Sequence, residues 1–248
     1  NPRFDSINSV RGSALDKLIS CYYNKDFNDK IFEVVEQAMY DKQISVRVSI
    51  LSKLAFLNHL DLERSFLIFN KMTDTDEIGL LKSSFWSADF YKNKYFERMQ
   101  LFFEKIIKHE ELHEKGVIII VKAWVNGKDI KGSYELLKKA IVASEKARCA
   151  IIHTAEHNLI KEDGKINKKC YDLLTDLLKY DGDKLASSYS GLVLRKFKPN
   201  TFNIAYPFLK KYVKSSHAKI EPRYLFNYLN NCSENNAIEC LELRKDAM

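Results

Sequence analysis

Apolar residues recur at three- and four-residue steps along most of the chain. Val10, Ala14, Leu15 and Leu18 share one face of a helix, as do Val46, Ile50, Leu51 and Leu54. These two stretches are copies of each other. Ser9 to Leu18 and Ser45 to Leu54, offset by 36 residues, agree at seven of ten positions. Fainter copies of the same helix follow at Leu81–Phe85, Gly116–Val125, Ala147–Ile152, Leu185–Tyr189 and Pro222–Phe226. A second helix fits between successive copies. Asn28, Asp61, Ser144 and Asn167 stand where helix N-caps belong, and Pro222 suits a first turn. Pro207 interrupts an otherwise helical run and is expected to kink or divide it.

Two helices in each of about seven units predict an all-α chain, an α-solenoid of HEAT/TPR-like hairpins forming one domain over residues 1–248. No single hairpin of this kind buries its apolar stripe alone, so neighbours stack. Arg11, Arg47, Arg148 and Arg223 recur near the start of the repeated helix. They are expected to bond carbonyls or acids of the adjacent unit.

Composition agrees with a packed helical protein. Of 248 residues 46% are hydrophobic, and only 8 are Gly and 4 Pro, too few for a turn-rich β fold. No apolar run approaches the length of a membrane span, and no signal peptide is visible. The five irregularly spaced Cys fit reduced thiols in the cytoplasm. The chain opens at Asn1 without an initiator methionine, which implies a piece of a longer protein.

Charge sharpens the picture. Residues 1–127 balance 18 basic against 18 acidic side chains, whereas residues 128–248 carry 22 against 15. Between Asp183 and Glu221 there is no acid, but eight Lys or Arg interleaved with Tyr and Phe. Such a stretch attracts phosphates or an acidic protein surface.

Catalytic motifs are weak. His109-Glu110-Glu111-Leu112-His113 satisfies H-E-x-x-H, in which two His one turn apart hold zinc and the Glu activates water. The third ligand position of the longer motif is Ile119, and charged neighbours crowd the match, so a polar connection between helices is expected instead. Cys149, His153 and His157 share a helix face without a fourth ligand, and half-buried packing positions are expected for the His pair. Trp86, one turn from Asp89, and Trp124 resemble the aromatic and carboxylate groups of HEAT-type DNA alkylation glycosylases. The rest of that pattern is missing, and both Trp are expected in the core. No phosphate-binding glycine loop or nucleophile elbow is present. No catalytic residue, metal or cofactor is expected.

Ile7 to Ala14, followed by the Ser45-Val46-Arg47 copy, resembles the C-terminal helical-repeat region of bacterial antiviral STAND NTPases of the Avs type. The resemblance is firmest over residues 7–70. It implies a sensor that binds a phage protein, the portal or the large terminase subunit, and thereby drives oligomerisation and activation of an effector. The effector and ATPase would lie in the remainder of the parent chain. The candidate contact residues are those of the acid-free stretch: Arg195, Lys196, Lys198, Tyr206, Lys210, Lys211, Tyr212 and Lys214. The alternative function is a HEAT-repeat nucleic-acid-binding module, with or without base-excision activity.

Overall fold

A computed structural model describes residues 10–23, 27–126, 132–159 and 164–247. Among these residues every regular element is a helix. The chain groups into two compact units, Asn1–Ala123 with Asp129–Leu136, and Trp124–Lys128 with Leu137–Met248.

The first unit holds α1 (Val10–Ser20), α2 (Asn28–Ala38), α3 (Ile44–Lys53) and α4 (Leu62–Met72). It continues with α5 (Ile78–Ser83), α6 (Phe85–Tyr95) and α7 (Gln100–Lys108). Next come α8 (His113–Asn126) and α9 (Ser133–Ala143), whose C-terminal parts fall in the second unit. The second unit continues through α10 (Glu145–Asn158), α11 (Gly164–Leu177) and α12 (Asp183–Lys196). It closes with α13 (Phe202–Tyr212), α14 (Pro222–Cys232) and α15 (Ala237–Ala247). The Gly116–Val125, Ala147–Ile152, Leu185–Tyr189 and Pro222–Phe226 copies each lie on one helix, whereas Leu81–Phe85 spans the break at Ser84 between α5 and α6.

Alternate helices pack on each other within each unit. In the first, α1 contacts α3, and α3 contacts α5 and α6. In the second, α10 contacts α12 and α12 contacts α14, while α11 contacts α13 and α13 contacts α15. Aromatic side chains fill the interiors. Phe66 stacks on Tyr95 at 4.1 Å between ring centroids, and Phe69 meets Phe102 at 5.2 Å. In the second unit Tyr189 touches Tyr212 at 5.8 Å and Phe197 touches Tyr228 at 5.6 Å. Each such side chain contributes about 1.5–3 kcal/mol when taken out of water.

Polar bonds repeat with the helices. Arg64 reaches back 35 residues to Asp29, chelates Glu36 and lies 4.6 Å over the Phe32 ring. One repeat later Arg98 reaches back 35 residues to Glu63 and lies 4.6 Å over Phe66. These guanidinium groups hold the Glu36 and Glu63 carboxyls below their ordinary pKa. Ser87 donates to the Leu51 carbonyl, and Tyr91 donates to Asn58. In the second unit the Glu145 carboxylate accepts from the backbone N–H groups of Lys184 and Leu185. It thereby caps α12, whose N-cap Gly182 has no side chain and sits at φ 151°.

Of the four Arg predicted to bridge units, Arg11 pairs with Asp41 at 2.7 Å, and Arg148 donates to the Ile141 carbonyl and covers Tyr180. Arg223 donates to its neighbour Tyr224 and lies 4.0 Å from Glu221, and Arg47 Nε is buried without a hydrogen-bond partner among the described residues. Asp61 and Ser144 cap α4 and α10 as expected, accepting from the N–H groups of Arg64 and Ala147. Asn28 does not cap, because α2 begins one residue earlier than expected and Phe27 takes that place. Asn167 lies inside α11. α13 runs through Pro207 undivided. The ring is on the exposed side of the helix.

Candidate functional site

The acid-free stretch folds into a hairpin of α12 and α13. Tyr189 opposite Tyr212 and Phe197 opposite Phe208, both at 5.8 Å, show that the helices run antiparallel. Lys196 and Lys198 therefore sit at the turn, and Lys210, Lys211 and Lys214 at the far end, on the order of 14 Å away along the axis. The cations that are contiguous in sequence form two groups rather than one patch.

Several of the eight candidates are already engaged. Arg195 donates from Nε and Nη2 to the two oxygens of Glu156 at 2.8 and 3.0 Å. The Glu156 side chain is 3% exposed, while that of Arg195 is 54% exposed. Burial by itself raises the Glu156 carboxyl, but Arg195 and His153 outweigh it and leave the pKa lowered. Tyr206 donates to Glu242 at 3.0 Å and carries the Lys210 ammonium 5.2 Å over its ring. Lys214 pairs with Asp246 at 3.2 Å. The Tyr206 and Lys214 partners both lie on α15, so these bonds join neighbouring hairpins like those of Arg64 and Arg98.

Tyr212 is a correction to the predicted contact set. It shares the inward face of α13 with Ala205, Phe208 and Leu209, is only 2% exposed, and has its phenol pushed up to about 12 by burial. It is a core residue and presents nothing to a partner. Lys196, Lys198, Lys210 and Lys211 face solvent in whole or part with no carboxylate in ion-pair range among the described residues.

The histidine motifs do not converge. His109 follows α7 and points to Asp76 at 3.3 Å. His113 begins α8, is 2% exposed, and its Nε2 meets the Ile107 carbonyl at 3.0 Å. A short 3-10 turn over Glu110–Leu112 separates them, so the two rings never share one helix face. His153 and His157 are exposed rather than half-buried, with rings 4.4 Å apart and His157 Nδ1 against the His153 carbonyl. No group of three His, Cys, Asp or Glu among the described residues has metal-binding geometry.

The most unusual surface lies in the first unit. Tyr23, at the end of α1, contacts Tyr22 at 4.0 Å. Tyr22 stacks on Phe56 at 5.4 Å, Phe56 meets Trp86 at 4.9 Å, and Trp86 meets Phe90 edge-to-face at 5.1 Å. Five rings, from the end of α1, the 3-10 segment after α3, and α6, thus form one continuous ridge. Tyr23 is 81% exposed, Trp86 43% and Phe90 55%. Trp86 is therefore not the core residue that the sequence led us to expect. Trp124 is half-buried under the Lys169 ammonium.

Local structure explains the ridge. α1 ends in the turn holding Tyr22 and Tyr23, α3 tightens into a 3-10 segment over Leu54–His59, and α5 breaks at Ser84 before α6. Tyr22, Phe56 and Trp86 stand in or next to these irregular stretches. Lys53 covers Phe56 at 5.5 Å, and its ammonium lies 3.3 Å from Asp16. The Asp89 carboxylate, between Trp86 and Phe90, holds both Lys92 and Lys122.

A separate groove of about 380 Å³ lies between α4 and α7, walled by Leu67, Leu101 and Phe102 and edged by Lys71, Asp74 and Lys105. No helix among the described residues is long and apolar enough to cross a membrane. No family model, curated protein or solved structure matches the chain.

Proposed function

We propose that this chain is a protein-recognition module built from helical hairpins, and that the aromatic ridge of its first unit is the contact surface. One observation carries the proposal: five large rings in continuous contact at the surface, three of them more than 40% exposed. Scattered exposed apolar residues are ordinary, but a contiguous apolar patch marks an interaction site. Tyr and Trp dominate the energetics of protein interfaces because they bury much area at little entropic cost. The packing of alternate helices within each unit supports an α-solenoid of hairpins.

The resemblance of residues 7–70 to Avs-type sensors gives the partner. The ridge engages a phage portal or large terminase subunit, and the rest of the parent NTPase chain responds by oligomerising and activating its effector in the cytoplasm. Purified portal and large terminase subunit, each titrated with the chain by calorimetry, test this directly. A saturable complex with one of them supports the proposal, and no heat from either rejects the phage partner.

A second function has an observation of its own. Trp86 is exposed beside the Asp89 carboxylate and the Lys122 ammonium, the aromatic, acidic and basic groups that a HEAT-type glycosylase combines. Release of a methylated base from alkylated DNA, lost in Asp89→Asn, is its test.

A further inference from the structure

We infer that His153 and His157 on α10 form a two-histidine site for a divalent late transition ion, Cu2+ or Ni2+, with the Glu156 carboxylate orienting the first ring. The site lies within the second unit and does not depend on what the aromatic ridge binds.

Helical spacing brings the two ligands together. Side chains four residues apart stand one above the other on the same helix face, about 6 Å apart along the axis. Both histidines are exposed, so their rings reach a dissolved ion. Two His at this step are a recurrent way for one helix to hold a metal.

The partners of the rings fix which nitrogen each one offers. His157 Nδ1 lies 2.7 Å from the His153 carbonyl, which can only accept, so Nδ1 carries the proton. His153 Nδ1 faces Glu156 Oε2 at 3.6 Å, and a carboxylate likewise favours a protonated Nδ1. The lone pair of each neutral imidazole is therefore on Nε2. Neither Nε2 has a hydrogen-bond partner among the described residues. An acceptor on the far nitrogen is what metal-binding imidazoles carry, because it sets the tautomer and raises basicity.

The acceptor behind His153 is itself fixed. The Glu156 side chain is 3% exposed, and Arg195 grips both its oxygens. A Cβ on Gly191 would come within 2.6 Å of Arg195 Nη1, so this glycine in α12 leaves room for the guanidinium. Arg195 and Glu156 cancel each other's charge and add no net repulsion beside a cation.

Ring separation selects the class of ion. An imidazole centroid lies about 3.2 Å from an ion bound through Nε2, given a nitrogen–metal bond of about 2.1 Å. Two rings at a right angle about the ion have centroids about 4.5 Å apart, and at the tetrahedral angle about 5.2 Å. The observed 4.4 Å matches the right angle of a tetragonal ion, Cu2+ or Ni2+, better than tetrahedral Zn2+. The broad χ2 torsion of histidine lets the rings adjust about the ion. Cys149, one turn earlier, does not complete the set, since burial raises its thiol and Ser188 bonds it. No group of three His, Cys, Asp or Glu among the described residues has metal-binding geometry, so water fills the ion's other positions.

Calorimetric titration of the whole untagged chain with Ni2+ and with Zn2+, neither of which oxidises the free thiols, tests the inference. One Ni2+ per chain is expected, bound tighter than Zn2+. His153→Ala and His157→Ala should each weaken Ni2+ at least about ten-fold, because the second nitrogen no longer binds intramolecularly. Glu156→Gln should weaken it by about ten-fold through the orientation of His153. His59→Ala, which removes a different exposed histidine, should leave the affinity unchanged. Ni2+ should also raise the melting temperature of the wild type but not of the double variant, since the ion clamps a folded turn. No binding, or equal binding by the double variant, overturns the site. Tighter Zn2+ than Ni2+ overturns the tetragonal geometry, and wild-type affinity in Glu156→Gln overturns the role of the carboxylate.

Discussion

Replacing Arg195 by Ala tests whether this cation holds the fold together or waits for a partner. The structure assigns it to the fold, and the size of the effect can be worked out. The guanidinium is half-exposed, but the Glu156 carboxylate it chelates is 3% exposed. Removing Arg195 leaves that buried carboxylate with the His153 ring, 3.6 Å away, as its remaining side-chain contact among the described residues. Breaking a fully buried pair by deleting one partner costs about 3–5 kcal/mol. Water already reaches the Arg195 side, so the cost here falls to about 2 kcal/mol. A ceiling exists because Glu156 can take up a proton. From an ordinary pKa of 4.5 this costs about 3.4 kcal/mol at pH 7. Glu156→Gln leaves a half-exposed guanidinium to solvent and should cost under about 1 kcal/mol.

The asymmetry between the two variants is the diagnostic. The chain's two Trp fall one in each unit, so in a Trp86→Phe background Trp124 reports unfolding of the second unit. Urea titrations of that background, with and without each substitution, give the two free energies. The Glu156 pKa is lowered in the folded wild type. The stability it contributes is therefore present above the unfolded value and lost as pH falls through the folded one. The deficit of Arg195→Ala should accordingly shrink as pH falls from 7 toward 4.5. A deficit under about 0.5 kcal/mol at pH 7, or one that ignores pH, refutes the structural assignment.

Three other outcomes are expected. Tyr212→Ala should destabilise the second unit by about 3–5 kcal/mol, whereas Lys210→Ala should stay within about 0.5 kcal/mol, both read by the same urea titrations. Gly182→Ala should cost about 1–3 kcal/mol in thermal melts, because φ 151° strains any L side chain and its Cβ would strike the Glu145 carboxylate that caps α12. His217 is 1% exposed, and burial lowers its pKa from 6.5 against the opposing pull of the Tyr180 and Leu178 carbonyls and Asp181. Its contribution is complete above pH 6.5 and is lost as pH falls through the folded value, by at most about 1.4 kcal/mol per unit. Melts from pH 7 to 5 should show this loss, and His217→Phe should flatten it.

The helices were legible because their apolar positions keep helical spacing and the Ser9 and Ser45 copies are nearly identical. Two caps were equally plain. Asp61 and Ser144 immediately precede apolar helices, while Asn28 misled because Phe27 takes the cap position. The Arg64 and Arg98 bridges left a signal that simple alignment of the first helices does not reach. Asp29 and Phe32 recur as Glu63 and Phe66 after 34 residues, two fewer than separate the first-helix copies. The basic stretch looked like one surface only in the linear sequence. Antiparallel α12 and α13 separate its ends, and carboxylates from neighbouring hairpins, remote in sequence, occupy Arg195 and Lys214. The ridge was hidden for the opposite reason. Tyr22, Phe56 and Trp86 are unequally spaced in sequence, so no fixed period along the chain aligns the three rings.

The central proposal is that the ridge binds a protein. Its most direct measurement is the affinity of the purified phage portal and large terminase subunit for three forms of the chain: wild type, Trp86→Ala with Phe90→Ala, and Lys210→Glu with Lys211→Glu. The account predicts that the wild type binds one of the two phage proteins. It also predicts that the ridge variant, still helical by circular dichroism, loses at least about thirty-fold in affinity, or 2 kcal/mol, while the lysine variant stays within about three-fold. Undiminished binding by the ridge variant, with loss confined to the lysine variant, would contradict it.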